Sequence, residues 1–141
     1  MRLVVDTNRI IAALAKDSTS RKILFSDEID FLTTEVTNHE ILEHRQELLE
    51  KTRLTEDQLN IALSLLFSRI LIVSDIVVES KMNEAERIMQ AIDPDDTPFI
   101  ALALVVENDG VWSDARHFQH QSRIRVWKTK DLLTLIKEGI V

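Results

Sequence analysis

The stretch Arg2-Leu3-Val4-Val5-Asp6-Thr7-Asn8 decides how the rest of the chain is read. Four residues suited to a buried strand stop at a carboxylate, and the pattern then changes to helical spacing at Ile10, Ile11 and Leu14. An acid where a strand gives way to a helix has two explanations. It caps the helix, with Asp6, Thr7 or Asn8 satisfying its first amides, or it binds a cation beyond the strand end. Later segments repeat the pattern: Asp114 follows Val111-Trp112, and Asp96 opens the apolar run Phe99 to Val106. Carboxylates beside buried segments are costly unless solvated, capped or paired. Brought together, they would make a site for a hard cation.

Working outward from β-like Arg2–Val5, Ile23 and Leu24 continue a second helix after a break at Asp17, Ser18 and Ser20, and Ile29 to Leu32 reads as a second strand. One charge-rich helix is expected from Glu35 to Lys51, and Thr55 with Gln58 resembles a capping box for the next helix. Ile70 to Val73 reads as a third strand and about Val77 to Ala91 as a helix. Thr97 and Pro98 suit the cap and first position of a helix buried on all sides. Asn108-Asp109-Gly110 turns the chain into the strand Val111-Trp112. Ile124 and Val126 alternate with Arg123 and Arg125 as a half-exposed strand, and Thr129 is expected to cap the last helix. This alternation predicts an α/β fold whose mainly parallel sheet is covered on both faces, with ligands beyond the carboxyl ends of the strands.

The 141 residues carry only two glycines and two prolines, without repeats or linkers, so one domain spanning 1–141 is expected. Composition is that of a soluble protein, 45% hydrophobic and 29% charged. The chain has no cysteine, which excludes disulfides, thiolate zinc sites and thiol nucleophiles. No signal-peptide pattern or membrane-length apolar run is present, so a cytoplasmic location without membrane association is expected. A net charge of −7 argues against coating nucleic acid by bulk positive charge. Between Asp114 and Asp131, however, lies an acid-free interval with Arg116, Arg123, Arg125, Lys128, Lys130, His117 and His120. Such a block suits either phosphates or a charge-guarded edge strand.

Glu40 is open to two readings as well. In Thr37-Asn38-His39-Glu40 it completes a capping-box pattern; if the helix begins earlier, at Thr33 or Thr34, it falls in the second turn. Glu43 and His44 would share its face and read as solvated. Asp93, Asp95 and Asp96 crowd one loop, more acid than a cap needs.

Together these positions resemble the PIN-domain family of metal-dependent ribonucleases, which includes many toxins of toxin–antitoxin pairs. Val4-Val5-Asp6-Thr7-Asn8 is similar to its first motif, Glu40-Ile41 to the second, Asp96-Thr97-Pro98-Phe99-Ile100-Ala101 to the third, and Ser113-Asp114 with Phe118 to the fourth. The resemblance spans the chain in order. Two departures stand out: many members place the fourth acid three residues before the Phe, where this chain has Ala115, and Asp95 competes with Asp96 in the third motif. The resemblance implies an α/β/α sandwich of four to five strands in which Asp6, Glu40, Asp96 and Asp114 hold Mg²⁺ or Mn²⁺ for phosphodiester hydrolysis of RNA. It further implies supporting roles for Asn8, Asp95 and Ser113, and RNA contacts from Arg116, Arg123 and Arg125. A cognate antitoxin and a homodimer follow from the resemblance alone. Two alternatives remain: a catalytically degenerate domain that binds RNA or protein, and Mg²⁺-dependent phosphoryl transfer with Asp as acceptor. For the latter, Asn8 stands where a phosphatase-like site needs a second Asp.

Overall fold

Strand β1 (Arg2–Val5) lies at the centre of a five-stranded, all-parallel sheet. The computed structural model describes residues 1–16, 18–89 and 93–140. On one side of β1 come β2 (Asp30–Thr34) and β3 (Ile70–Val73), on the other β4 (Val111–Trp112) and β5 (Val126–Trp127), giving the order β3-β2-β1-β4-β5. Leu3 pairs with Phe31, and Val5 with Trp112. Because side chains alternate along a strand, Leu3 and Val5 enter one core while Val4 enters the other. The first core is closed by α1 (Thr7–Ala12), α2 (Thr19–Leu24), α4 (Arg45–Thr52), α5 (Glu56–Phe67) and α9 (Thr129–Lys137), through Ile10, Ile23, Leu48, Leu59 and Leu132. The second is closed by α6 (Asp75–Glu79), α7 (Met82–Met89) and α8 (Thr97–Val105), through Val78, Met89, Phe99 and Ile100. Helices on both faces explain why the strands read as apolar runs.

The chain leaves β1 toward β2 and β3, then returns to the other side of β1 as β4. That reversal opens a crevice at the carboxyl ends of β1 and β4, the usual ligand position in such sheets. Asp6 follows β1, and Ser113 and Asp114 follow β4. Gly110 makes the approach of β4 to β5 feasible: its φ is +133°, and a Cβ there would lie 2.5 Å from the Arg125 carbonyl oxygen.

Several local expectations are corrected. The segment 35–51 is two helices, α3 (Val36–Glu43) and α4, because His44 departs from helical angles (φ −98°, ψ 11°); Leu48 is then buried while Leu42 stays exposed. The helix expected from Val77 is divided into α6 and α7, with Ser80 closing the first, and its expected end at Ala91 lies outside the described residues, as does Asp17. β2 continues through Thr33 and Thr34, which are buried although polar. Asp96 takes the N-cap position of α8, leaving Thr97 and Pro98 inside the helix. Lys128 precedes α9 in place of Thr129, and Asp131 accepts from the Lys128 amide at 3.0 Å. Ile124 stays outside β5 because Gln121 bonds both its amide and its carbonyl, closing a loop there. The Thr55–Gln58 capping box is present as expected.

Candidate active site

Asp6 fulfils both of its sequence readings at once. Oδ1 accepts from the Arg9 amide at 3.0 Å and caps α1, while Oδ2 accepts from the Ser113 hydroxyl across the crevice. The residue is only 4% exposed. Burial pushes its carboxyl from 3.8 up to about 6, against the opposing effects of the Ser113 and Arg9 hydrogen bonds and the Arg9 charge; Asp96 adds a further upward push.

Glu40 lies in the second turn of α3, too late to cap it. Thr7 Oγ1 donates to Glu40 Oε1 at 3.1 Å, and Thr7 in turn meets Thr37 at 3.1 Å and Thr37 meets Thr33 at 3.0 Å. Thr33 donates to the Val5 carbonyl at 2.8 Å, so a chain of buried hydroxyls ties Glu40 to the end of β1. Partial burial raises the Glu40 carboxyl; Thr7 opposes this, and the charges of Asp95, Asp6 and Asp96 reinforce it.

Asp96 has no capping hydrogen bond despite its N-cap position. Its Oδ2 lies 2.8 Å from His117 Nδ1. Burial raises its carboxyl, the His117 hydrogen bond opposes, and Asp93 and Asp95 push it further up. Asp93 Oδ2 approaches the same His117 nitrogen at 3.4 Å, and one ligand atom from each of Asp93, Asp96 and His117 lies within 4.8 Å of the others.

Asp114 occupies different surroundings. Its Oδ1 accepts from the Thr129 amide at 2.8 Å, and its Oδ2 from the Thr129 hydroxyl and the Arg9 guanidinium, each at 2.6 Å. Trp112 Nε1 donates to the same Thr129 hydroxyl at 3.1 Å. The structure therefore brings Asp6, Glu40, Asp95 and Asp96 into one electrostatic neighbourhood and ties Asp114 to the start of α9.

The supporting residues divide likewise. Ser113 is fully buried on Asp6, and Asp95 acts on Glu40 and Asp96 through its charge. Asn8 is exposed on α1, and its neighbour Thr7 makes the contact to a carboxylate. Arg116 is exposed in a short 3₁₀ helix, Arg116–His120, beside His117. Arg123 pairs with Glu84 of α7 at 2.8 Å. Arg125 covers the Trp127 ring at 3.9 Å, at the start of β5 and so at the end of the sheet away from Asp6. Sequence reasoning gave Thr7, Thr33, Thr37 and Thr129 at most a helix start or cap, and Arg9 nothing; it assigned none of them a contact to a site carboxylate. Thr7 stands inside the first motif and Thr37 three residues before Glu40, but only the fold puts them in contact.

This crossing order, with acids at the β1 and β4 ends, agrees with a match of residues 4–137 to a family model described as the PIN domain. The chain belongs to the PIN-domain family. PIN domains are in general metal-dependent nucleases, and the Asp93, Asp96 and His117 groups stand close enough to share an ion. The comparison with curated proteins returns no match. A separate cavity of about 790 Å³ beside Leu14, Phe25 and Leu54 is mainly apolar and has no carboxylate in its described lining. Among the described residues, no helix is long and apolar enough to cross a membrane.

Proposed function

We propose that this PIN domain is an Mg²⁺- or Mn²⁺-dependent endoribonuclease, acting as the toxin of a toxin–antitoxin pair and working as a homodimer. One observation carries the nuclease reading: Asp6, Glu40 and Asp96 come from three separate segments, burial raises the proton affinity of all three, and the Asp96 charge adds to the rise at Asp6 and Glu40. Carboxylates gathered out of water in this way are stabilised by a cation. The donors are carboxylate oxygens, the chemistry that hard divalent ions take. Asp6, Asp96 and Glu40 would hold the metal, which when bound supplies charge for phosphodiester hydrolysis and acidifies water.

The chain's own residues contribute orientation and proton handling. Ser113 and the Arg9 amide fix the Asp6 carboxylate, and Thr7 fixes Glu40. Glu40 would orient the attacking water, whose oxygen bonds to phosphorus as the phosphorus–oxygen ester bond breaks, and would pass its proton on to the departing oxygen. Exposed Arg116 would hold an RNA phosphate, while Asp114 holds Arg9 and the start of α9. The phospho-acceptor alternative needs a second Asp two residues after Asp6, where Asn8 stands.

The test is cleavage of RNA by the purified chain with Mn²⁺, with single-stranded DNA in parallel. Activity abolished by EDTA and by Asp6→Asn supports the proposal. Activity indifferent to both overturns it, and RNA binding without cleavage by the intact chain identifies the degenerate domain instead.

A further inference from the structure

Carboxylates alone specify only a hard cation, but this site also presents a nitrogen. The 3₁₀ helix Arg116–His120 is anchored by Phe118, which is fully buried, and the Ala115 amide donates to Ser113 Oγ at 3.1 Å, so the loop is tied to the same serine that holds Asp6. These contacts set His117 over the start of α8. Its Nδ1 lies 2.8 Å from Asp96 Oδ2 and 3.4 Å from Asp93 Oδ2. Neighbouring ligand atoms of an octahedral ion with bonds of about 2.1 Å are spaced by roughly 3 Å, between these two distances. Asp93 is itself oriented, since its Oδ1 accepts from the Asp95 amide at 2.9 Å and leaves Oδ2 facing the histidine. In the neighbouring segment Asp114 has its oxygens on Thr129 and Arg9.

We propose that His117 supplies a nitrogen ligand to the metal centre, with Asp96 and Asp93 beside it, and that the site therefore prefers Mn²⁺ to Mg²⁺. The inference rests on the metal-dependent reading above. Mn²⁺, though the weakest binder of the first-row transition ions, accepts an imidazole nitrogen among oxygen ligands more readily than Mg²⁺, which dehydrates reluctantly and keeps its waters. Beside its carboxylates the site would then hold a neutral donor, which adds no negative charge and adds selectivity.

The experiment is pulsed electron paramagnetic resonance of Mn²⁺ bound to the full chain, with Mn²⁺ and Mg²⁺ affinities by calorimetry. Modulation from a directly bound ¹⁴N is expected, and it should vanish in His117→Gln. That variant should weaken Mn²⁺ binding roughly 10-fold or more and Mg²⁺ binding much less. His117 is exposed, so His117→Gln should fold, and circular dichroism checks this; His120→Gln should retain the signal. Mn²⁺ bound through Asp6 without nitrogen modulation, or with modulation that survives His117→Gln, overturns the histidine proposal and leaves the nuclease reading standing. Absence of Mn²⁺ binding by the intact chain overturns both.

Discussion

Carboxylates flank the end of β1 on two sides, and their surroundings are opposite. Toward α3 and α8, Asp6, Glu40 and Asp96 all have raised proton affinity, and Asp96 meets the His117 ring. Toward α9, Asp114 receives an arginine, a hydroxyl and a backbone amide. A satisfied carboxylate stabilises the fold in which it sits. A crowded, desolvated group of them costs stability, and that cost marks where a ligand has to contribute.

The largest expected effect tests the crowded side directly. Asp6→Asn should lower Mn²⁺-dependent RNA cleavage by about two to three orders of magnitude and abolish the Mn²⁺ isotherm, although the metal-free protein should be no less stable than the parent. A variant that retains metal affinity would remove Asp6 from the site.

Next comes pH. The native chain keeps the Asp6 proton where the unfolded chain has released it, so this stabilisation is complete below about pH 3.8 and lost as pH rises through about 6. For the full shift this amounts to about 3 kcal/mol. The Tm of metal-free protein should therefore fall between about pH 4 and pH 6 and level off above, and both Mn²⁺ and Asp6→Asn should flatten the slope. An equal slope in Asp6→Asn would assign the dependence to other groups.

Asp114→Ala should behave in the reverse manner. Loss of the Thr129 amide acceptor and of the Arg9 partner should cost about 1–2 kcal/mol in chemical denaturation, with Mn²⁺ affinity unchanged. If its affinity collapses as in Asp6→Asn, the two sides form one site and the comparison fails. The smallest effect is a control remote from both sides: Thr55→Ala, which removes a capping box on α5, should cost about 1 kcal/mol and leave cleavage untouched.

The legible parts of the chain were those governed by neighbours in sequence. β1, β3 and β4 are short apolar runs, and the Thr55–Gln58 box is contained within four residues. Failures occurred where distant contacts decide. Thr33 and Thr34 look like turn residues, but their hydrogen bonds or burial beside β1 extend β2 through them. His44 interrupts a charge-rich pattern that by itself would continue, and Gln121 removes Ile124 from a strand its alternation favours.

Local patterning was enough to establish the α/β class and the parallel sheet, because strand and helix periodicities are properties of short segments; Asp6, Glu40, Asp96 and Asp114 were singled out as site residues only by the resemblance of their motifs to a family. The division of those acids into a crowded set and a satisfied one belongs to the tertiary structure. Arg9 and Asp114 are 105 residues apart, as Thr7 and Glu40 are 33 apart, and a carboxylate's proton affinity depends on which of these distant groups the folded chain sets against it.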